Sequence, residues 1–365
     1  MYADFYYTIP QQIVLIIISL ISGLSSFVGS TLIISIILRD GHEKLKFVYH
    51  RILFVMSILD SILSLVYSFS FLTVPKDMFW GALGNTASCE ASGFFTVLLG
   101  SQFLYNFGLS VYFLMIISYG INQTFIASNI EPFIHAISLC LPIGIAIWAL
   151  VTESLNPLLF DGGWCHVHPY PPGCTILQGG ECTRGLTALI IAPIMGIFLG
   201  AIPFVGILIC MIMIVFRVHK TFAASLPSSM QQRLNERTKQ TAIQSILYIV
   251  AIFIPYTLII VNLCVQNTDR NVRFILAILV KLMIPLQGVF NFFIYIRPRI
   301  VLMRERDRDS RSFHMLVWLI VNAGKARGSP DEVSDFAPEL SKPNISSQMD
   351  INGQTKASLK ESSPA

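Results

Sequence analysis

Seven stretches of this chain, near 13–38, 49–74, 89–121, 133–151, 186–216, 241–265 and 274–296, carry almost no charge. Most reach the roughly twenty residues that a helix needs to cross a bilayer core at a rise of about 1.5 Å per residue. In hydrocarbon every backbone N–H and C=O must find its partner inside the segment, so isolated runs of this kind fold as helices. Composition agrees: 54% of residues are hydrophobic, 13% are charged and the mean hydropathy is +0.66, outside the range of water-soluble domains. The expected fold is all-α, a seven-transmembrane helix bundle.

Between the runs, Lys and Arg are unevenly shared. The first and fifth loops and the stretch 297–327 hold 17 of them, and the second, fourth and sixth loops hold 4 (Lys76, Arg184, Arg270 and Arg273). By the positive-inside rule the N-terminus lies outside and the C-terminus in the cytoplasm. Residues 1–12 are uncharged apart from Asp4 and lack a basic n-region, so they read as a short external start with no cleaved signal peptide. The bundle then occupies 13–299. Residues 300–328 form a basic juxtamembrane segment whose apolar part, Phe313 to Val321, is too short to span and suits an interfacial helix. From 329 to 365 Ser, Pro, Asn, Asp and Glu dominate, and a disordered cytoplasmic tail is expected. Asn122-Gln123-Thr124 and Asn344-Ile345-Ser346 match glycosylation acceptors on the cytoplasmic side, where no sugar is expected. The basic residues are placed to meet membrane lipids, and nothing points to nucleic acid.

Polar residues inside spans face protein or water, because unpaired in lipid each costs several kcal/mol. In the second span Asp60 shares a face with Ser57, Ser64, Tyr67 and Ser68. The third carries Gln102, Tyr105, Asn106 and Ser110, as a central strut would. On a straight last helix Lys281, Gly288, Asn291 and Tyr295 fall within about 80° at 100° per residue, next to Gln287. The basic run Arg297-Pro298-Arg299 reads as that helix's exit. Gly23, Gly29 and the serines of the first span form a close-packing face. Pro193, Pro203 and Pro255 predict kinks in the fifth and sixth spans.

Gln287-Gly288-x-x-Asn291-x-x-x-Tyr295-x-Arg297-Pro298 resembles the last span of seven-helix G-protein-coupled receptors, especially the cAMP-receptor-like, protist and fungal groups. It is also similar to the Asn-Pro-x-x-Tyr motif of rhodopsin-like receptors, with Phe292 in the proline's place. Ile252-Phe253-Ile254-Pro255-Tyr256 looks like the aromatic-x-Pro hinge of the sixth span, with Phe253 for tryptophan. Asp60 is similar to the acidic residue that couples to the last span. Two departures stand out: Ser30 replaces an asparagine, and Ile117-Ser118-Tyr119 stands where an acidic-Arg-Tyr triplet belongs. Leu104-Tyr105-Asn106 and Glu131-Pro132-x-x-His135 look closer to divergent receptors of unicellular algae. The resemblance implies a plasma-membrane, multi-pass receptor with no cofactor, a small extracellular ligand near Asp60, Gln102, Tyr105, Asn106, Lys281 and Gln287, and activation through Phe253, Pro255, Asn291 and Tyr295. A heterotrimeric G protein would be the cytoplasmic partner, with Arg233, Glu236, Arg237 and Lys239 on its docking surface.

Cys89, Cys165, Cys174 and Cys182 face the outer compartment, and four cysteines allow three connectivities. The resemblance implies Cys89–Cys165, which leaves Cys174–Cys182 to close a short hairpin; a metal set of Cys165, His166, His168 and Cys174 is the alternative. Lys281 has three readings: a buried pair with Asp60, an anchor for an anionic ligand, or a snorkelling side chain. No catalytic constellation is present, neither His-Glu-x-x-His nor a Gly-rich phosphate loop nor an intramembrane aspartate pair, so no enzyme is expected. The competing functions are a retinal-binding photoreceptor and a transporter or channel. For retinal, Lys281 lies ten residues before Asn291, and Pro285 fills the position six before it, where a receptor opsin would place its lysine. For transport, internal repeats are missing.

Overall fold

In a computed structural model the described residues are 7–39, 42–158, 163–171, 174, 181–223, 229–264 and 270–306. The long helices are α1 (Ile9–Arg39), α2 (Val48–Ser68), α3 (Thr86–Tyr119), α4 (Gln123–Val151), α5 (Ala188–Lys220), α6 (Ser229–Cys264), α7 (Arg270–Met283) and α8 (Gln287–Arg306). Six of the helices are long and apolar enough to cross a membrane, or seven if the bent pair α7 and α8 forms one span. All seven expected runs coincide with helices.

The bundle has an apolar outside and a partly polar inside. Ile17, Ile21, Val28, Phe133, Ile147, Phe198, Val205 and Phe216 are exposed, while Ser19, Ser22, Ser26, Ser30, Asp60, Gln102 and Asn291 are buried. That inversion of the soluble pattern suits a lipid surround. The helix α3 packs on α2, α4, α5 and α6, so it is the central strut its polar composition predicted. Its start is capped reciprocally by Asn85 and Ser88, and Gly120 ends it in the left-handed region at φ 60°. The helix α1 packs on α2 and on both α7 and α8, closing the ring.

Three features correct the expected bundle. The last span is not straight: α7 and α8 meet at 45° across Ile284, Pro285 and Leu286. Proline removes a helical donor and clashes with the preceding turn, and α1 takes up the freed groups. Ser22 Oγ donates to the Lys281 carbonyl at 3.0 Å, and the Gly288 N–H donates to Ser26 Oγ at 2.9 Å. The serine face of α1 therefore bonds as well as packs. Second, α8 runs through Arg297-Pro298-Arg299 to Arg306, so the basic run does not end the helix. Third, the fold is not wholly helical: β1 (Leu155–Leu158) and β2 (Trp164–Val167) pair antiparallel, with Asn156 opposite His166.

This hairpin is a lid on one end of the bundle. Both cysteine pairs form, Cys89–Cys165 and Cys174–Cys182, so neither cysteine of the alternative metal set is available as a thiolate. Thr96 Oγ1 donates to the Cys165 carbonyl at 2.8 Å, and Arg184 pairs with Glu90. Gly163 turns into β2 at φ 70° against the Phe79 ring, where a Cβ would come within 2.7 Å. The proposed interfacial helix, the tail, and the side chains of Arg233, Glu236, Arg237 and Lys239 lie outside the described residues. The backbone of those four belongs to the first turns of α6, continuous with its apolar part.

Candidate functional site

Asp60 is the centre of the buried polar core. It is 1% exposed. Gln102 Nε2 of α3 donates to one carboxylate oxygen, and Asn291 Nδ2 of α8 donates to the other at 2.8 Å. Gln287 Nε2 in turn donates to Asn291 Oδ1 at 3.2 Å, one helical turn away. Asn106 Nδ2 is returned to the Gln102 carbonyl at 2.8 Å, and its Oδ1 is buried without a partner. Three helices are thus joined through one carboxylate, whose desolvation is offset by two amide donors aimed at it.

Above this core a narrow cavity is lined by Leu99, Gln102, Phe103, Ile252, Pro255, Ile284 and Gln287. Its lining is apolar apart from the two glutamines, and as it stands it has room for about one water molecule. Pro255 interrupts α6 there. Behind it Phe204 stacks on Phe253 at 4.9 Å and on Tyr256 at 4.6 Å, and Phe103 meets Tyr256 edge-on at 5.0 Å. Opposite Tyr256, α5 widens into a π-helical turn, Gly196–Ala201, between Pro193 and Pro203. Such bulges recur at functional sites.

Lys281 does not pair with Asp60. Amide donors from Gln102 and Asn291 already occupy both oxygens of Asp60. Instead Lys281, 2% exposed, places Nζ 4.8 Å from the centroid of the Trp164 ring in the lid. Tyr105 also leaves the expected cluster: its hydroxyl meets His135 Nδ1 of α4 at 3.0 Å.

At the end opposite the lid lies a second polar layer. Tyr295 Oη accepts from Lys44 Nζ at 3.1 Å, and its ring meets His50 edge-on. The hydroxyls of Tyr49 on α2 and Tyr248 on α6 are 2.9 Å apart, and Gln244 Nε2 donates to Tyr49 at 2.8 Å. Arg51 forms a bidentate pair with Glu131 at the start of Glu131–Val151 and caps the carbonyls of Leu45 and Lys46 at 2.8 and 3.0 Å. His135 Nε2 is 3.5 Å from Glu131. Sequence reading passed over Tyr49, Gln244 and Tyr248. The four-residue spacing of Gln244 and Tyr248 on one helix face was the available signal.

In the lid His166 is pushed down to about 4 from the usual imidazole value, chiefly by burial. It is neutral at physiological pH.

An apolar exterior, a buried polar core and a disulfide-tied lid define a helical, multi-pass membrane protein. No model of a known protein family matches the chain, and a search of curated proteins returns no match either. Its function is therefore argued from the geometry above.

Proposed function

We propose that this protein is a seven-helix G-protein-coupled receptor of the plasma membrane, with α7 and α8 as one broken span, the lid outside and the basic end in the cytoplasm. The observation that carries the reading is the joint placement of Asp60, Gln102 and Asn291. They tie α2, α3 and α8 together beneath the cavity, while Tyr49 joins α2 to Tyr248 and Gln244 of α6 at the far end. The last-span resemblance and the asymmetry of Lys and Arg support the same orientation.

The mechanism is a two-state equilibrium. In the closed state Tyr49 engages Tyr248 and Gln244, each hydrogen bond contributing about 1 kcal/mol net. A small extracellular ligand that enters between Phe103, Ile252 and Gln287 as the helices part touches α6 at Ile252 and Pro255. If it binds better when α6 is bent away, it shifts the population by that difference in affinity and no more. The swing breaks the tyrosine contact and opens a groove for a heterotrimeric G protein. In this chain the Tyr49–Tyr248 contact holds the closed state in place of an acidic-Arg-Tyr triplet.

One observation favours a transporter: a helix broken inside the membrane, as at Pro285, is a common substrate site in transporters. Here Ser22 and Ser26 take up groups that the break releases, which supports a fixed kink. The deciding experiment is nucleotide exchange on a heterotrimeric G protein of the host organism, co-reconstituted with the receptor in nanodiscs. Acceleration over the G protein alone is expected. No acceleration with any host G protein, even in a variant lacking the Tyr49 hydroxyl, overturns the receptor reading in favour of transport.

A further inference from the structure

We propose that the start of α4 is a membrane anchor, with Phe125 set among the glycerol and upper acyl groups of the cytoplasmic leaflet, and that its partner is uncharged lipid. The first observation concerns charge. The first and fifth loops carry four and five Lys or Arg, whereas residues 120–130, in the third loop on the same side, carry no charged side chain. A loop solvated like its neighbours would be expected to share their basic residues, and an uncharged one lies against lipid without stranding a charge. The second observation concerns depth. The helix α4 is continuous over 29 residues, Gln123–Val151. Across Ile130 the ladder holds, with the Ile130 N–H on the Ile126 carbonyl and the Ile134 N–H on the Ile130 carbonyl, both at 3.0 Å. At about 1.5 Å per residue α4 is about 43 Å long, against about 30 Å for the hydrocarbon core and about 40–45 Å with the headgroups. The exposed Glu153 lies just past its outer end. Counted from there, hydrocarbon ends about twenty residues further in, near Glu131, and the two turns before Glu131 fall at headgroup depth.

The helix face supplies the third observation. Phe125, Phe133, Ile137, Ile147 and Val151 are all exposed, and at 100° per residue they fall within an arc of about 120°. From Phe133 onward these residues belong to the apolar exterior that faces lipid, so Phe125, 51% exposed, extends that stripe by two turns. Ile126 beside it is fully buried in the bundle, which fixes the direction in which Phe125 points. The polar side chains around Phe125 are bonded back onto the helix itself. Asn129 Nδ2 donates to the Phe125 carbonyl at 3.0 Å and to Ser128 Oγ at 2.9 Å, and Ser128 Oγ donates to the Thr124 carbonyl at 3.1 Å. Asn122 Oδ1 accepts from the Thr124 N–H at 3.1 Å. Donors spent in this way lower the cost of leaving water. An uncharged face led by a phenyl ring has nothing to offer a phosphate, so it fits the ester and acyl region common to all phospholipids. The competing occupant is a G protein; depth and continuity with the lipid-facing stripe favour the bilayer. The proposal requires only that the chain spans a membrane and not that it signals.

The test places a nitroxide at Phe125→Cys in the full chain, with Cys140, Cys210 and Cys264 replaced by alanine, in phosphatidylcholine nanodiscs. Its collisions with oxygen, which concentrates in the bilayer, are compared with those of a water-soluble nickel chelate. Phe133→Cys, about 12 Å further along the same face, gives the lipid reference, and Lys46→Cys in the first loop gives the water reference. All three positions are exposed, so the labels leave the packing of the bundle intact. The oxygen-to-nickel ratio at 125 is expected to exceed that at 46 several-fold and to approach that at 133. The same ratio is expected when phosphatidylglycerol is added to the discs, and nucleotide-free G protein is expected to leave the spectrum at 125 unchanged. The proposal is overturned if the ratio at 125 matches that at 46, if it rises only with phosphatidylglycerol, or if the G protein immobilises the label. Collision ratios are read without nucleotide exchange, so loss of the receptor reading leaves this result standing, and the reverse holds as well.

Discussion

The hydroxyl of Tyr49 on α2 lies 2.9 Å from that of Tyr248 on α6, and Gln244, one turn before Tyr248, donates to the same Tyr49 oxygen at 2.8 Å. Tyr49 is thereby the shared partner of two α6 side chains. Tyr49→Phe keeps the ring contact with Phe113 and removes only that shared oxygen. Both hydrogen bonds are lost with it, about 2 kcal/mol together, which changes the closed-to-open ratio about thirtyfold, so basal nucleotide exchange should rise by up to a similar factor. Unchanged basal exchange at equal protein density would show that this contact does not hold the closed state.

Asn291→Ala removes one of the two amide donors on the buried Asp60 carboxylate and leaves Gln287 without its acceptor. A buried group stripped of its partner costs roughly 1–3 kcal/mol, more when charged. The purified variant should unfold several degrees below the wild type, and Gln102→Ala should behave alike. A midpoint equal to the wild type in both variants would mean that the carboxylate does not depend on them.

The approach of α1 to α8 gives a third expectation. A Cβ at Gly288 would clash with the hydroxyls of Ser26 and Ser30 and come within 2.7 Å of the Ser26 carbonyl. Gly288→Ala should therefore destabilise by roughly 1–3 kcal/mol of overpacking, read as a loss of monodisperse protein on size exclusion. Trimming Ser30 to alanine should not rescue it, because the backbone carbonyl remains; full rescue would contradict the packing.

Much of this architecture was legible because a bilayer imposes it. An uncharged run of about twenty residues is read as a span whatever it packs against, and the polar faces of the second, third and last spans point inward for the same reason. That logic turned Asp60, Gln102 and Asn291 inward, while the link between Asp60 and the last span came from the resemblance. It gave no access to contacts between residues far apart in sequence. Lys281 meets Trp164 because the lid folds back over the bundle, and a hairpin of four-residue strands leaves no periodic signal. Pro285 was visible, but the serines that absorb its break sit on α1, more than 250 residues earlier. Tyr49 and Tyr248 lie toward the ends of apolar runs, where tyrosine reads equally well as an interface anchor.

His166 gives a pH expectation. Its folded value is pushed down to about 4 by burial, below the ordinary 6.5. The unfolded lid takes up the proton first, so this group's contribution to stability is intact above about 6.5. It is lost progressively as the pH falls towards about 4. Midpoints of wild type and His166→Gln should converge at low pH if the wild type starts higher at neutral pH. A difference between them that is constant from pH 7.5 to 4.5 would contradict burial of a neutral imidazole.

The central claim is that α6 leaves α2 when the protein couples, and a distance between those helices tests it most directly. Spin labels at Lys46→Cys and Gln240→Cys, with Cys140, Cys210 and Cys264 replaced by alanine, report that separation by double electron–electron resonance. The account predicts one short population in the resting protein. A longer one should appear on adding nucleotide-free G protein, and should already be present in part with Tyr49→Phe. A single distribution that neither the G protein nor Tyr49→Phe alters would contradict it.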